Sequence, residues 1–171
     1  MTTFHLTAID RDELAGIRST RRDVAGHRAE PFVDDEGGNQ LRCCLRRSAP
    51  GEHLLLVGHA PLAADRPWRE VGPVFVHEQA CAGYTEPDRV PSWFDDEPRV
   101  VRAYDHTGAM RYASNRVVRA GEGVARALEE VFADPEVQEA HVRNLVAQCF
   151  IARAVRVVAW SATEGRRTLG T

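Results

Sequence analysis

Gly72-Pro73-Val74-Phe75-Val76-His77-Glu78-Gln79-Ala80-Cys81 is an apolar run that closes on a histidine, a carboxylate and, a few residues later, a thiol. The pattern predicts a buried strand over residues 73–78 that ends in side chains able to do chemistry. Neighbours on a strand alternate faces, so Phe75 and His77 point one way and Val74, Val76 and Glu78 the other. Apolar side chains on both faces require cover on both sides, which places this strand inside a layered fold.

Working outward, residues 4–9 alternate well enough for a first strand. Asp10 and Glu13 then spell a capping box for a short helix that buries Leu14 and Ile17. Residues 24–28 allow a strand, and 34–39 form a charged, glycine-rich loop. Residues 41–45 and 53–57 flank Pro50-Gly51, a turn dipeptide, and read as a hairpin. A polar connection over 59–70 leads into the opening strand. The next loop, 82–98, carries three prolines with Trp93 and Phe94 and reads as a packed lid or binding loop. Strands are expected over 99–104, 109–113, 140–143 and 149–159. From 122 to 133 the apolar residues Val124, Leu128, Val131 and Phe132 share one helical stripe, which Asp134-Pro135 stops. The expectation is a single α+β domain over 1–171, a mainly antiparallel mixed sheet with two helices packed on one side, and a fraying tail at 161–171.

All 22 lysine-plus-arginine positions are arginine, the imprint expected of a GC-rich coding sequence and a bacterial source. With no lysine, Schiff-base chemistry is excluded. The net charge is −3 and the arginines are scattered among carboxylates, so no basic face invites nucleic acid. No apolar run approaches the roughly 18 residues of a membrane span, and residues 1–6 lack a secretory leader, so a soluble cytoplasmic protein is expected. The four cysteines, Cys43, Cys44, Cys81 and Cys149, are expected as free thiols.

The opening stretch is one of several separated motifs. Arg102-Ala103-Tyr104-Asp105 is followed by Gly108, and His141-Val142-Arg143-Asn144 by Cys149-Phe150. In that order they resemble the bacterial family named domain of unknown function 1203, over about residues 41–157, a family whose name implies no established activity. Members often read Cys-Arg-x-Cys-Leu-Arg before a Pro-Gly-Glu turn. Here Leu41-Arg42-Cys43-Cys44-Leu45-Arg46 precedes Pro50-Gly51-Glu52, with Leu41 in place of the first cysteine. Adjacent cysteines on a strand face opposite sides, so no two-thiol metal clamp or redox pair is expected there.

The candidate site residues follow from residue chemistry. His77 titrates near neutrality and suits an acid, base or ligand-binding role; the alternative is a strand-end histidine bonded to a backbone carbonyl. Glu78, its strand neighbour, points away from it. His141, Asn144 and Cys149 are the residue types of a cysteine-nucleophile triad, against which stands a packed, inert thiol. Arg102, Tyr104 and Arg143, near strand ends, suit an anionic ligand, the alternative being structural ion pairs from Arg102 to Asp105 and from Arg143 to Glu78. A zinc set drawn from Cys44, His77, Cys81, His141 and Cys149 lacks the short spacings of such sites, so neither a metal nor a cofactor is expected. The reading is an interaction or structural module forming a homodimer; the alternative is a small-molecule binding protein or small enzyme that grips an anion with His77, Arg102 and Arg143.

Overall fold

A computed structural model of the chain describes residues 3–157. The expected tail at 161–171 and the end of the strand placed at 149–159 lie outside the described residues. The opening stretch forms β6 (Gly72–His77), and its alternation is as the pattern requires: Val74 and Val76 are buried on one face. Phe75 turns to the other, its ring 5.9 Å from that of Phe32. β6 is the middle strand of a five-stranded sheet ordered β2 (Pro31–Asp34), β5 (Glu52–His59), β6, β3 (Gln40–Leu41) and β4 (Arg46–Arg47). The β5–β6 pair is antiparallel, with Leu54 opposite His77, and β3 lies parallel to β6, with Leu41 opposite Phe75. The helix α1 (Arg11–Thr20) closes this core with Leu14 and Ile17. Asp10 caps it, accepting hydrogen bonds from the Asp12 and Glu13 amides. Fully burying residues such as Leu55, Val57 and Val76 contributes about 1.5–3 kcal/mol each.

The other strands form a second sheet of five, all antiparallel, ordered β1 (Phe4–Thr7), β10 (Phe150–Arg156), β9 (Glu139–Asn144), β7 (Arg99–Tyr104) and β8 (Arg116–Val118). The helix α2 (Val124–Phe132) buries its predicted stripe, Val124, Leu128, Val131 and Phe132, on this sheet. Its first turn lacks a side-chain cap of its own, and Asp95 supplies one by accepting from the Val124 amide at 2.7 Å.

The class is α+β and mostly antiparallel, as expected, but the strands divide between two sheets and each sheet has its own helix and its own core. Two local choices produce the division. Residues 42–45 curl into a turn instead of extending, so β5 takes β2 and β6 as partners and the 41–45/53–57 hairpin does not form. After Tyr104, the Asp105 side chain accepts the Thr107 and Ala109 amides, and Asn115 Oδ1 takes the Ala103 amide. The expected return strand over 109–113 is thereby reduced to one bridge, Tyr104 to Met110, and β8 becomes the partner of β7. The two sheets meet where Arg42 Nε donates to the Phe150 carbonyl at 2.6 Å and the Phe150 ring enters the core of the first.

Candidate metal centre

The turn at 42–45 decides the site. The Leu45 amide reaches back to the Leu41 carbonyl at 2.9 Å, which bends the chain as one turn of helix would. Leu45 pays with a left-handed backbone, φ 54°. Three contacts hold it there: the Arg42 amide donates to the Phe75 carbonyl, the Ile9 amide to the Arg42 carbonyl, and Trp93 Nε1 to the Leu45 carbonyl at 2.8 Å. The last contact assigns the aromatic loop its job. Phe94 is buried in the α2 core and Trp93 clamps the cysteine turn, so this part of the loop is packing rather than a lid.

On a curled backbone, adjacent side chains no longer oppose each other. Cys43 Sγ and Cys44 Sγ lie 3.9 Å apart, and both face His77 at the end of β6. His77 Nδ1 is 3.3 Å from Cys43 Sγ and 3.9 Å from Cys44 Sγ, and the His77 amide donates to Cys43 Sγ. Cys81, four residues on, completes the group: the four donor atoms all lie within 4.8 Å of one another. The segment carrying His77 and Cys81 is pinned by α1 and the residue that ends it: Arg18 donates to the His77 carbonyl, Arg11 to the Ala82 carbonyl, and Arg21, just past the helix, pairs with Glu78. Cys43 is buried, Cys44 and Cys81 are partly so, and a cavity of about 240 Å³ lined by His77, Glu52, His53 and Cys81 opens beside them.

The electrostatics divide the donors: Cys44 and His77 are eased toward their metal-binding forms, whereas Cys43 and Cys81 must give up protons. The Cys44 thiol and burial push the Cys43 thiol up, whereas the hydrogen bond from Cys43 pulls Cys44 down. Burial raises Cys81. Burial, followed by the Arg46 charge, lowers His77 and keeps its imidazole neutral, the form that binds metal. On the far side of the ring, Arg46 Nη2 is 2.9 Å from Nε2, and Glu52 Oε2 is 3.5 Å away. The Arg46 hydrogen bond holds the Glu52 carboxyl down at about 2.

The sequence-predicted residues fall into three places. His77 joins the thiols and is not bonded to a backbone carbonyl through its ring. Glu78 points away from it, as alternation requires, and pairs with Arg21 at 2.8 Å and His53 at 3.5 Å, not with Arg143. Arg102, Tyr104 and Arg143 stand on β7 and β9 of the other sheet, where both arginines pair with Glu70, so Asp105 is not the partner of Arg102 and His77 shares no neighbour with them. The triad does not assemble. His141 is fully buried with Nε2 on Glu139 at 2.6 Å, Asn144 bonds Arg99 and Gln40, and the Cys149 thiol faces the Ala147 carbonyl. Of the zinc candidates, Cys44, His77 and Cys81 converge, and His141 and Cys149 do not. Cys43 is the ligand that strand alternation hides, because adjacent cysteines oppose each other on a strand and converge on a turn; the doubled cysteine with His77-x-x-x-Cys81 is the signal the sequence carries.

Fold and site define an α+β protein with a thiol and imidazole cluster at the end of a central strand. The chain belongs to the family described as "Protein of unknown function (DUF1203)", whose model matches residues 38–156 and so includes all four cluster residues. No curated protein and no solved structure matches the chain. Among the described residues, no helix is long and apolar enough to cross a membrane.

Proposed function

We propose that this protein binds a zinc-class dication through Cys43, Cys44, His77 and Cys81, and that the ion locks the cysteine turn to the end of β6. One observation carries the reading: the spacings of the donors. A tetrahedral zinc with bonds of about 2.3 Å to sulfur and 2.0–2.1 Å to nitrogen has edges of about 3.8 Å between sulfurs and 3.6 Å between sulfur and nitrogen. Among Cys43, Cys44 and His77 the corresponding separations are 3.9 Å between the sulfurs and 3.3 and 3.9 Å from sulfur to nitrogen, and Cys81 Sγ lies within 4.8 Å of all three donors. Four protein ligands leave no open position, which is the pattern of a structural site rather than of a hydrolytic one. Three thiolates around a dication leave a surplus negative charge, which faces Arg46 beside the ring, a guanidinium shared with Glu52. A cytoplasmic setting, where thiols stay reduced, suits such ligands.

The test is metal content. Protein purified under reducing conditions should carry about one zinc per chain, take up cobalt with the intense visible absorption of tetrahedral thiolate coordination, and lose both on Cys81→Ser. Reduced protein that retains no metal after zinc loading and desalting overturns the reading.

A module that pairs with a second copy is supported by a separate observation. Phe32 and Leu56, 37% and 49% exposed, lie with Phe75 on one face of the first sheet. Sedimentation of wild type against Leu56→Glu decides it: a dimer lost in the variant is expected, and a wild-type monomer at all concentrations removes the reading.

A further inference from the structure

Arg102 and Arg143 lie on adjacent strands, and one carboxylate bridges them. Arg102 Nη1 donates to both Glu70 oxygens at 2.9 and 3.0 Å, and Arg143 Nη1 to Glu70 Oε2 at 2.8 Å. Gln148 orients both guanidinium groups: its side chain accepts from Arg102 Nη2 at 2.9 Å and its carbonyl from Arg143 Nη1 at 3.0 Å. To do so it adopts a left-handed backbone, φ 58°. The arginines are therefore set in place by the sheet and by a strained turn, whereas their carboxylate comes from the irregular connection between β5 and β6 and is about half exposed.

The pairing leaves polar atoms over. Tyr104, 1% exposed, lies close enough to both guanidinium groups to feel their charge, yet its hydroxyl makes no well-formed hydrogen bond. Arg143 Nε is likewise buried without a partner. A buried hydroxyl and a buried guanidinium N–H left unsatisfied each carry a desolvation cost that a suitable ligand removes. A cavity of about 390 Å³ borders Glu70, Arg143 and Gln148 and is walled by Pro61, Val71, Pro73 and Phe150; Arg102 and Tyr104 are not on its wall and join it through their contacts with Glu70 and Arg143.

We infer that Arg102, Arg143 and Tyr104 form a binding site for organic carboxylates with a compact apolar body, and that Glu70 occupies it as an internal competitor which the ligand displaces. The two forks receive the carboxylate, Tyr104 Oη supplies the donor that Glu70 does not use, and the apolar walls take the body of the molecule. Burial would raise the Glu70 carboxyl, but Arg143 and Arg102 outweigh it and hold it below its usual value, so an anion is replaced by an anion. The site shares no residue with the thiol cluster.

Benzoate titrated into the full-length chain by calorimetry tests this. Glu70→Ala should bind benzoate about tenfold more tightly than wild type, because the competitor is gone. Adding Tyr104→Phe to that variant should remove most of the gain while zinc content and melting temperature stay at the Glu70→Ala level; this variant discriminates, since Arg143 is too buried to delete cleanly. No gain in Glu70→Ala, or a gain indifferent to Tyr104→Phe, overturns the site. A gain for inorganic phosphate but not for benzoate overturns the assignment to organic carboxylates.

Discussion

Arg46 Nη2 sits 2.9 Å from His77 Nε2. A guanidinium only donates, so Nε2 is the acceptor here and the neutral ring carries its proton on Nδ1, facing the thiols. A metal bound at Nδ1 shifts that proton to Nε2, which then no longer accepts from Arg46 and needs an acceptor of its own. Glu52, 3.5 Å from Nε2, is the group that supplies it.

Glu52→Gln is therefore expected to weaken zinc binding about tenfold, by loss of the carboxylate behind the histidine ligand. Competition against a chromophoric chelator measures it. Unchanged affinity would show that Glu52 serves only to hold Arg46.

Removing the metal should cost stability as the loss of any native-state ligand does. With free zinc at a few hundred times its dissociation constant, the contribution is about 3 kcal/mol, and for a domain of this size the melting temperature should fall by roughly 6–12 °C on chelation. Calorimetric scans with and without chelator, under reductant, decide it; coincident scans would mean that the ion does not fasten the fold.

Acid should release the metal through the thiols rather than the imidazole. The Cys44 thiol and burial raise Cys43, and burial raises Cys81, so protons compete for both sulfurs increasingly as pH falls. Burial and Arg46 lower His77 below 6.5, so near neutrality its ring is already deprotonated and adds little slope. Affinity should rise with pH between 6 and 8, with more than one proton released per ion, as metal uptake in weakly buffered solution would record. A flat profile would put the ion on other ligands.

Trp93→Phe keeps the ring and deletes the donor to the Leu45 carbonyl. The loss is expected to be about 1–2 kcal/mol in urea denaturation, with weaker zinc retention because the cysteine turn is loosened. Trp68→Phe, whose indole N–H meets only the exposed Tyr112 hydroxyl, should change neither.

The parts of the fold legible in the sequence were those fixed by local chemistry. The alternation around Val74 and Val76, the Asp10 cap and the α2 stripe all came from short-range periodicity, and the structure keeps them. The division into two sheets did not, because it turns on the curl at 42–45, which partners distant in the chain, Ile9, Phe75 and Trp93, hold in place. The same curl hid the cluster: Cys43 and Cys44 oppose each other on a strand and converge on a turn. Even the capping box was half legible, since Glu13 turns from the helix end to meet His59 Nδ1 at 2.7 Å. His77 was recognisable as a polar group at the end of a buried strand. The bridge from Glu70 to Arg102 and Arg143 was not, because nothing in a loop sequence says which strand it will lie against.

His77 follows Cys44 by 33 residues, and the span between them contains all of β5 and most of β6, two neighbouring strands of the first sheet. An ion joining these two side chains is a cross-link that closes a ring of backbone around that pair of strands. A disulfide closing the same ring would take about 4 kcal/mol of freedom from the unfolded chain; a reversibly bound ion acts instead through its preference for the folded state. Unlike a disulfide it is indifferent to reductants; chelators, acid or oxidation of the thiols would open it.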